Sequence, residues 1–189
     1  HSAYLPIRAA SGTAVTLTVD DCTSLTNWYT SGSLSLALSP GQTGQGIAAS
    51  TTNHTTSTIG SEVYRGFPDP QNWVEYQTIS FYAKVSVGVF GANFYIKDQA
   101  NKVSKKILLP NKSQYYQSTF NLADFDGIDL TNVTEMGFTI TDAPTGTATV
   151  FSIDTFVLTA SSSRTLTMEL RHLGASPLIT NPTNPGTLI

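Results

Sequence analysis

The sequence predicts an all-β protein, a two-sheet antiparallel jelly-roll β-sandwich with extended N- and C-terminal arms. Three observations predict it. Stretches in which apolar and polar residues alternate recur along the chain, turn-forming clusters rich in Pro, Gly, Asn and Asp separate them, and no credible long helix interrupts them. The 189 residues also include 28 threonines and 20 serines but only 10 Lys plus Arg, a usage that argues against helix bundles and coiled coils.

The alternation is clearest in three segments. Apolar residues occupy every second position from Ile79 to Val85, from Met136 to Ile140 and from Leu166 to Leu170. Such a pattern places one row of side chains in a core and the other row in solvent or against a partner. Further strands are predicted, in chain order, near 13–20, 33–38, 46–52, 57–65, 91–97, 103–109, 116–121 and 149–159. Turns are predicted at 39–41, 68–70, 110–111, 126–127 and 143–146.

The two ends of the chain differ from its middle. We divide the sequence into an N-terminal arm (1–12), a jelly-roll domain (13–173) and a C-terminal arm (174–189). Both arms combine proline with apolar residues, and proline removes donors from a strand ladder, so the arms are predicted to be extended segments or edge strands. Apolar arms of this kind pack on their own domain or on a neighbour. The residues predicted to make these contacts are Tyr4, Leu5, Ile7, Leu178, Ile179, Leu188 and Ile189.

Composition excludes several classes of function. The formal net charge is −3 with 12% charged residues, which argues against a nucleic-acid binder because such proteins carry a surplus of Lys and Arg. No apolar run is long enough to span a membrane. The lone cysteine, Cys22, excludes an intrachain disulfide and any cysteine-based zinc site. None of the hydrolase, metalloprotease or P-loop motifs is present, so we predict no enzymatic activity.

An extracellular setting is predicted from the start of the chain and from its sequons. The sequence begins with His1 rather than Met, which suggests either that a signal peptide has been removed or that the chain is an excised piece. Three N-x-S/T sequons, at Asn53, Asn111 and Asn132, are candidate glycosylation sites. Together with the low charge and the Ser/Thr-rich surface, they favour a secreted or cell-surface protein.

Several short motifs carry a family resemblance over about three-quarters of the chain, from residue 17 to 160. In order, they read VDDCTSLTNW, NWVEYQTISFYAKV, FYIKDQANK, FNLADF, DGIDLTNVTEMGFTI and TATVFSIDTFVLT. In this order they resemble the carbohydrate-binding-module-like jelly roll, within the galactose-binding-like group of secreted β-sandwiches. The resemblance implies a structural calcium site in many relatives and glycan binding in some, but the same scaffold also serves adhesion and assembly.

The resemblance implies a calcium site formed by Asp20 or Asp21 on the first strand and Asp154 on the last. Calcium requires six to eight oxygen ligands, and the family's second acid after the Ile-Asp pair is Thr155 in this chain, which thins the expected ligand set. The alternative is that the two adjacent aspartates form a turn and that Asp154 faces solvent.

Glycan binding would require exposed aromatic rings on which the CH faces of sugars can stack. The candidates for such a platform are Tyr64, Tyr115, Tyr116 and Trp73, with Tyr64 and one of the two adjacent tyrosines preferred. The alternative for each is packing in the core or at its rim.

Two hypotheses follow for the function. The first is a self-assembling extracellular fibre, tube or surface-layer subunit, in which an arm (residues 3–9 or 178–189) completes the sheet of another copy by strand addition. Five lysines between Lys97 and Lys112, followed by five acids between Asp124 and Asp142, fit a repeating head-to-tail contact. In size and general build the chain is similar to the calcium-dependent cannula subunits of archaea. The alternative is a carbohydrate-binding module of a secreted enzyme, an adhesin or a phage tail, with polysaccharide as the partner.

Overall fold

The strands of this protein form two antiparallel sheets. The computed structural model describes residues 14–51, 59–85, 91–100, 102–107, 113–142 and 148–160, all within one compact unit that extends from Thr13 to Ser161. The strands of these segments are β1 (Thr16–Asp20), β2 (Trp28–Thr30), β3 (Ser35–Pro40), β4 (Gln45–Thr51), β5 (Glu62–Gln71), β6 (Thr78–Val85), β7 (Gly91–Asp98), β8 (Lys102–Ile107), β9 (Tyr116–Asn121), β10 (Val133–Asp142) and β11 (Thr149–Thr159).

One sheet has the order β3-β4-β11-β6-β9, with β1 also paired to β11, and the other has the order β2-β5-β10-β7-β8. We call them the six-stranded and the five-stranded sheet. β4 and β1 pair with successive halves of the same edge of β11. β4 pairs with β11 residues up to Ile153, and β1 pairs with β11 residues from Phe156 onward. A short 3-10 turn, Leu122–Asp124, follows β9. The predicted two-sheet antiparallel jelly-roll sandwich is thereby confirmed.

The core lies between the sheets and is built from the alternating positions that the sequence shows. Phe81 of the six-stranded sheet contacts Phe94 and Phe138 of the five-stranded sheet, with ring centroids 4.9 and 5.1 Å apart. Phe156 adds a fourth ring, 5.1 Å from Phe81, and all four side chains are fully buried. Aromatic rings at such separations gain energy from their geometry as well as from burial.

The predicted segment 57–65 differs most from the observed strand. β5 occupies Glu62–Gln71 and thus contains the prolines at 68 and 70, which were predicted to form a turn. Its register with β10 changes between the pairs Gly66–Glu135 and Gln71–Val133, so that four residues of β5 face one residue of β10. Proline is tolerated in such an irregular stretch because no ladder donor is required there.

Two other differences concern short or terminal segments. β2 has only three residues, too few to show an alternation, and the sequence did not predict it. The alternating segment 166–170, both arms and the domain boundaries at 12 and 173 lie outside the described residues, so those predictions stay predictions. In the segments that are described, there is no helix of the length and apolarity that crossing a membrane requires.

Candidate functional site

A row of tyrosines crosses the outer face of the five-stranded sheet. In register, Tyr29 of β2 pairs with Tyr64 of β5, Tyr64 pairs with Gly137 of β10, and Gly137 pairs with Tyr95 of β7. The adjacent row, which contains Phe138, belongs to the buried core. Because side chains alternate between the two faces of a strand, the tyrosine row lies on the face that points away from the core.

The rings of Tyr29 and Tyr64 form an aromatic pair at one end of this row. Their centroids are 5.5 Å apart, with planes inclined by 31°. Tyr29 is 48% exposed, whereas Tyr64 is half-buried. Gly66 lies beneath Tyr29, where a β-carbon would come within 3.4 Å of that ring. A shallow pocket continues the surface beyond Tyr29, lined by Asn27, Tyr29, Gly66, Phe67, Pro68 and Thr134.

Gly137 separates the aromatic pair from Tyr95. A β-carbon at this position would lie 2.6 Å from Tyr64 Cβ and 2.6 Å from the Val63 carbonyl oxygen. These contacts are with the neighbouring strand and cannot be relieved by rotating a flexible side chain. The absence of a side chain at Gly137 therefore lets β5 and β10 pair closely at this point.

At the other end of the row, Tyr95 belongs to a network of polar groups. Its hydroxyl donates a hydrogen bond to Glu135 Oε1 at 2.7 Å, and Lys97 Nζ donates to Glu135 Oε2 at 3.4 Å. Tyr95 is fully buried. Burial raises the pKa of the Tyr95 hydroxyl well above its usual value, and the hydrogen bond to Glu135 and the charges of Glu135 and Glu62 raise it further.

A second polar row runs parallel to the tyrosines. Thr139 of β10 pairs in register with Glu62 on one side and with Asn93 on the other. The Thr139 hydroxyl donates to Glu62 Oε1 at 3.0 Å, and all three side chains are half-buried. The surface that contains both rows is called the tyrosine face below. It consists of Tyr29, Glu62, Tyr64, Asn93, Tyr95, Lys97, Glu135, Gly137 and Thr139.

The tyrosine face combines the two kinds of group that a hydroxyl-rich ring requires. The aromatic pair, in which Tyr29 is exposed and Tyr64 half-buried, offers an apolar ring surface, and the carboxylates, amide, amine and hydroxyl of the face offer donors and acceptors. Convergent polar groups around an apolar surface are characteristic of ligand sites. All these side chains are carried by strands rather than by loops, which holds them in fixed positions.

Of the four residues predicted as a sugar platform, Tyr64 alone lies on this face. Trp73 is 1% exposed, its backbone N–H donates to the Leu130 carbonyl, and its ring packs edge-on against Phe67 at 5.8 Å. It is a core residue with no ring surface for a ligand, so the prediction for Trp73 is corrected.

Tyr115 and Tyr116 belong to the other sheet. The Tyr115 hydroxyl donates to the Pro40 carbonyl at 3.0 Å, and Lys84 Nζ lies 4.5 Å from the centre of the Tyr115 ring. Tyr116 pairs with Ala83 of the inner row and is half-buried, which raises the pKa of its hydroxyl to about 12. Neither joins Tyr64 in one surface.

The sequence reasoning missed most of the tyrosine face. Tyr29 lies in the unpredicted three-residue strand β2. Tyr95 lies in a predicted strand, at a position that alternates with buried Phe94 and Ile96, and this position was the available signal for an outward side chain. The polar members missed are Glu62, Asn93, Lys97, Glu135 and Thr139.

The predicted calcium ligands are held by other groups. Asp20 Oδ2 accepts a hydrogen bond from Arg65 Nε at 2.5 Å, and its Oδ1 accepts one from the Cys22 N–H at 2.7 Å. Asp21 is exposed and accepts hydrogen bonds from the N–H and the hydroxyl of Thr23. These hydrogen bonds lower the pKa of the Asp21 carboxyl.

Asp154 is fully buried rather than facing solvent. Its Oδ2 accepts hydrogen bonds from the Thr43 N–H at 2.8 Å and the Thr43 hydroxyl at 3.0 Å, and its Oδ1 accepts one from the Thr155 hydroxyl at 2.8 Å. Among the described residues, no three His, Cys, Asp or Glu side chains gather into a group that could hold a metal. Calcium requires several oxygen ligands in one place. Asp20 and Asp154 each accept hydrogen bonds from other groups through both carboxylate oxygens, and Asp21 is exposed and accepts from Thr23 through Oδ1, so the three do not fit the calcium ion that the resemblance implies.

One predicted glycosylation site lies in the described part of the chain. Asn132 precedes β10, and its Nδ2 donates hydrogen bonds to Asp129 Oδ2 and Thr131 Oγ1. Glycosylation of Asn132 stays a prediction. Asn53, Asn111 and the seven arm residues lie outside the described residues. Of the predicted basic segment, Lys97 is described with its side chain, and it pairs with Glu135 within the same sheet.

Comparisons with known proteins identify the fold. No protein-family model matches the chain, and no curated protein does. Solved structures do match, among them a family 11 carbohydrate-binding module from Clostridium thermocellum in complex with a β-1,3-1,4-mixed-linked tetrasaccharide. That match has a TM-score of 0.58 and 21% identity, and it covers 79% of this chain and 96% of the other. The family 11 module of the cellulosomal cellulase Lic26A-Cel5E from the same organism gives a TM-score of 0.61 at 18% identity, with the same coverage.

A family 29 carbohydrate-binding module also matches, with a TM-score of 0.53 at 13% identity over 79% of this chain and 89% of that one. At these identities the likeness establishes a common fold, and it confirms the resemblance to a carbohydrate-binding-module-like jelly roll. The prediction of a self-assembling fibre, tube or surface-layer subunit is wrong, because the matching structures described above are carbohydrate-binding modules and not fibre subunits.

Proposed function

We propose that this domain is a non-catalytic carbohydrate-binding module that binds a polysaccharide chain along the tyrosine face. The observation that carries the proposal is the Tyr29–Tyr64 ring pair, with Tyr29 exposed and Tyr64 half-buried, which shares one sheet with hydrogen-bonding side chains in a fold that carbohydrate-binding modules also have. The module would act extracellularly, as part of a secreted enzyme, an adhesin or a phage tail.

The dimensions of the face suit a chain rather than a single sugar. Three strand-to-strand steps separate Tyr29 from Lys97 of β7, whose side chain is 43% exposed, which corresponds to roughly 14 Å at the usual strand spacing. A short run of sugar units laid across the strands would stack on the ring pair at one end and reach the polar network at the other. Each hydrogen bond to a sugar hydroxyl would add about 0.5–1.5 kcal/mol after exchange with water.

The part played by each residue follows from its surroundings. Tyr29 and Tyr64 supply the stacking surface. Glu62 and Asn93 supply acceptors and a donor beside it, held in place by the Thr139 hydroxyl and by the register of β10. Glu135 is oriented by Tyr95 and Lys97, so that its carboxylate has a fixed position from which to accept a sugar hydroxyl.

The proposal is tested with native affinity electrophoresis in gels that contain mixed-linkage β-glucan, a soluble cellulose derivative, xylan or agarose, followed by calorimetry on the polysaccharide that retards the protein. We expect retardation by at least one of them and an affinity loss of about tenfold or more for Tyr29→Ala and Tyr64→Ala, because a lost stacking surface of this size costs at least about 1.4 kcal/mol.

Tyr82→Ala is the matched control. Tyr82 lies between the buried residues Phe81 and Ala83 of β6 and therefore points to the outer face of the other sheet. Its truncation should leave the affinity unchanged. The absence of retardation in every gel, or an equal loss of affinity in the control, would contradict the proposal.

A further inference from the structure

Arg65 brings a positive charge to the edge of the sandwich core. It lies on β5 between Tyr64 and Gly66 of the outer face, in register with Trp28 on one side and Met136 on the other, both of which are buried. Its side chain therefore points toward the space between the sheets. Only 17% of the Arg65 side chain is exposed, and an isolated charge in such a place would be costly.

Three oxygen atoms surround this charge. Arg65 Nε donates to Asp20 Oδ2 at 2.5 Å, and Nη1 donates to the backbone carbonyls of Thr26 and Gly66 at 3.1 Å each. The Asp20 side chain is only 10% exposed, and the Phe67 ring lies 5.7 Å from the guanidinium carbon. One carboxylate and two carbonyls around a single cation are the kinds of ligand that calcium also uses.

The arrangement joins the two sheets. Asp20 ends β1 of the six-stranded sheet, whereas Arg65 belongs to β5 of the five-stranded sheet. The same carboxylate holds the Cys22 N–H at 2.7 Å, in the turn where Cys22 adopts a positive φ of 57°. One ion pair thus fixes the end of β1, the turn after it and the facing sheet.

We infer that the Arg65 guanidinium is the resident cation of the Asp20 carboxylate, one of the aspartates for which the family resemblance implies calcium, and that an intersheet ion pair closes the domain at this point in place of a metal. A partly buried arginine is suited to this because its planar fork can donate to several oxygens at once. The inference does not depend on the proposed glycan binding.

A double-mutant cycle tests the ion pair. Arg65→Met and Asp20→Asn are measured singly and together by thermal unfolding. Each single change is expected to lower Tm by on the order of 10 °C, because it leaves the partner's charge buried and unpaired. The double variant should lose clearly less than the sum of the two. Lys84→Met, which removes a cation over an aromatic ring of the other sheet, should change Tm by far less. Additive losses in the cycle would overturn the inference.

Calcium binding is tested on the unaltered protein, so the result does not depend on whether a variant folds. Tm is measured with millimolar calcium chloride and with excess EDTA, and calorimetry follows the addition of calcium chloride. We expect the same Tm in both buffers and no binding isotherm. A saturable rise of Tm with calcium would overturn the inference, whatever the outcome of the glycan assays.

Discussion

Gly137 shows how a single residue shapes the tyrosine face. It is buried within β10 and carries no side chain where β5 passes close by, since a β-carbon would meet two atoms of that strand at 2.6 Å. Of the two tyrosines that pair with Gly137 in register, Tyr64 forms a ring pair with Tyr29 and Tyr95 is fully buried. Nothing in the local sequence around Gly137 indicates this, because the close contact is with Val63 and Tyr64, which are distant in the chain.

Tyr95 gives a pH dependence that can be measured. Its pKa is raised in the folded protein by burial and by Glu135, whereas in the unfolded chain it is about 10. The unfolded state therefore releases this proton first, so the stability due to the neutral hydroxyl is intact below about pH 10 and is lost as the pH rises above it.

We expect the free energy of unfolding to fall above about pH 10, with tyrosinate absorbance at this position appearing only as the protein unfolds. Tyr95→Phe should cost about 0.5–1.5 kcal/mol at neutral pH, where the hydrogen bond to Glu135 is lost, and should flatten the alkaline decline. Urea unfolding at several pH values from 7 to 11 measures both effects. An unchanged alkaline slope in the variant would show that Tyr95 is not the group responsible.

Among the elements, the β3–β4 hairpin has its turn hydrogen-bonded to β11, the strand that pairs with β4. Strand β11 changes partner from β4 to β1 at Asp154 and Thr155, and Thr155 has a positive φ of 42°. In the gap between the two partners, the buried Asp154 carboxylate accepts both donors of Thr43 from the hairpin turn. The residue predicted as a metal ligand thus anchors a turn.

Two substitutions of Asp154 separate hydrogen bonding from charge. Asp154→Ala removes the charged acceptor of two hydrogen bonds from Thr43 and should lower the free energy of unfolding by about 1.5–3 kcal/mol, the usual range for a hydrogen bond to a charged group. It should also speed hydrogen exchange of the Thr43 amide. Asp154→Asn should be milder, because the Thr155 hydroxyl can rotate to accept from the new amide while the amide oxygen serves Thr43. If Asn were as damaging as Ala, the negative charge itself would be required and the anchoring role would be contradicted.

At the scale of the whole molecule, the two sheets have different outer faces. The five-stranded sheet carries the tyrosine face, whereas the six-stranded sheet has contacts of Tyr115 with Pro40 and with Lys84. A core of four mutually contacting phenylalanines lies between them. A ligand bound on one outer face is therefore separated from the other face by a closely packed aromatic core.

This separation predicts a localised response to a glycan. In an amide NMR titration with the polysaccharide fragment that binds best, chemical-shift changes should concentrate in β2, β5, β7 and β10. The signals of Tyr82, Lys84 and Tyr115 should stay in place, because the face is built on rigid strands and pre-organised sites change little on binding. Shifts that centre on Tyr115 instead would move the binding site to the six-stranded sheet.

The architecture can be predicted from the sequence, because the evidence for strands is local. The alternation from Ile79 to Val85 and from Met136 to Ile140 identifies buried rows without reference to the rest of the chain, and the structure buries those rows between two sheets. The motifs that resemble carbohydrate-binding modules are also read from short stretches. In the part of the chain that the structure describes, the irregular β5 and the short β2 departed most from the local pattern, one through a bulge and the other through its length.

The tertiary structure alone decided which polar and aromatic residues meet. Trp73 and Tyr64 are both aromatic, yet one is core and one is surface, because that depends on which element covers each ring. Asp20 meets Arg65 from 45 positions away, and Asp154 meets Thr43 from 111, so neither pairing leaves a trace in the local pattern. Strand alternation depends on neighbouring residues in the chain. A binding face or the Arg65–Asp20 ion pair depends on strand order and register, which bring distant residues together only when the whole sandwich has formed.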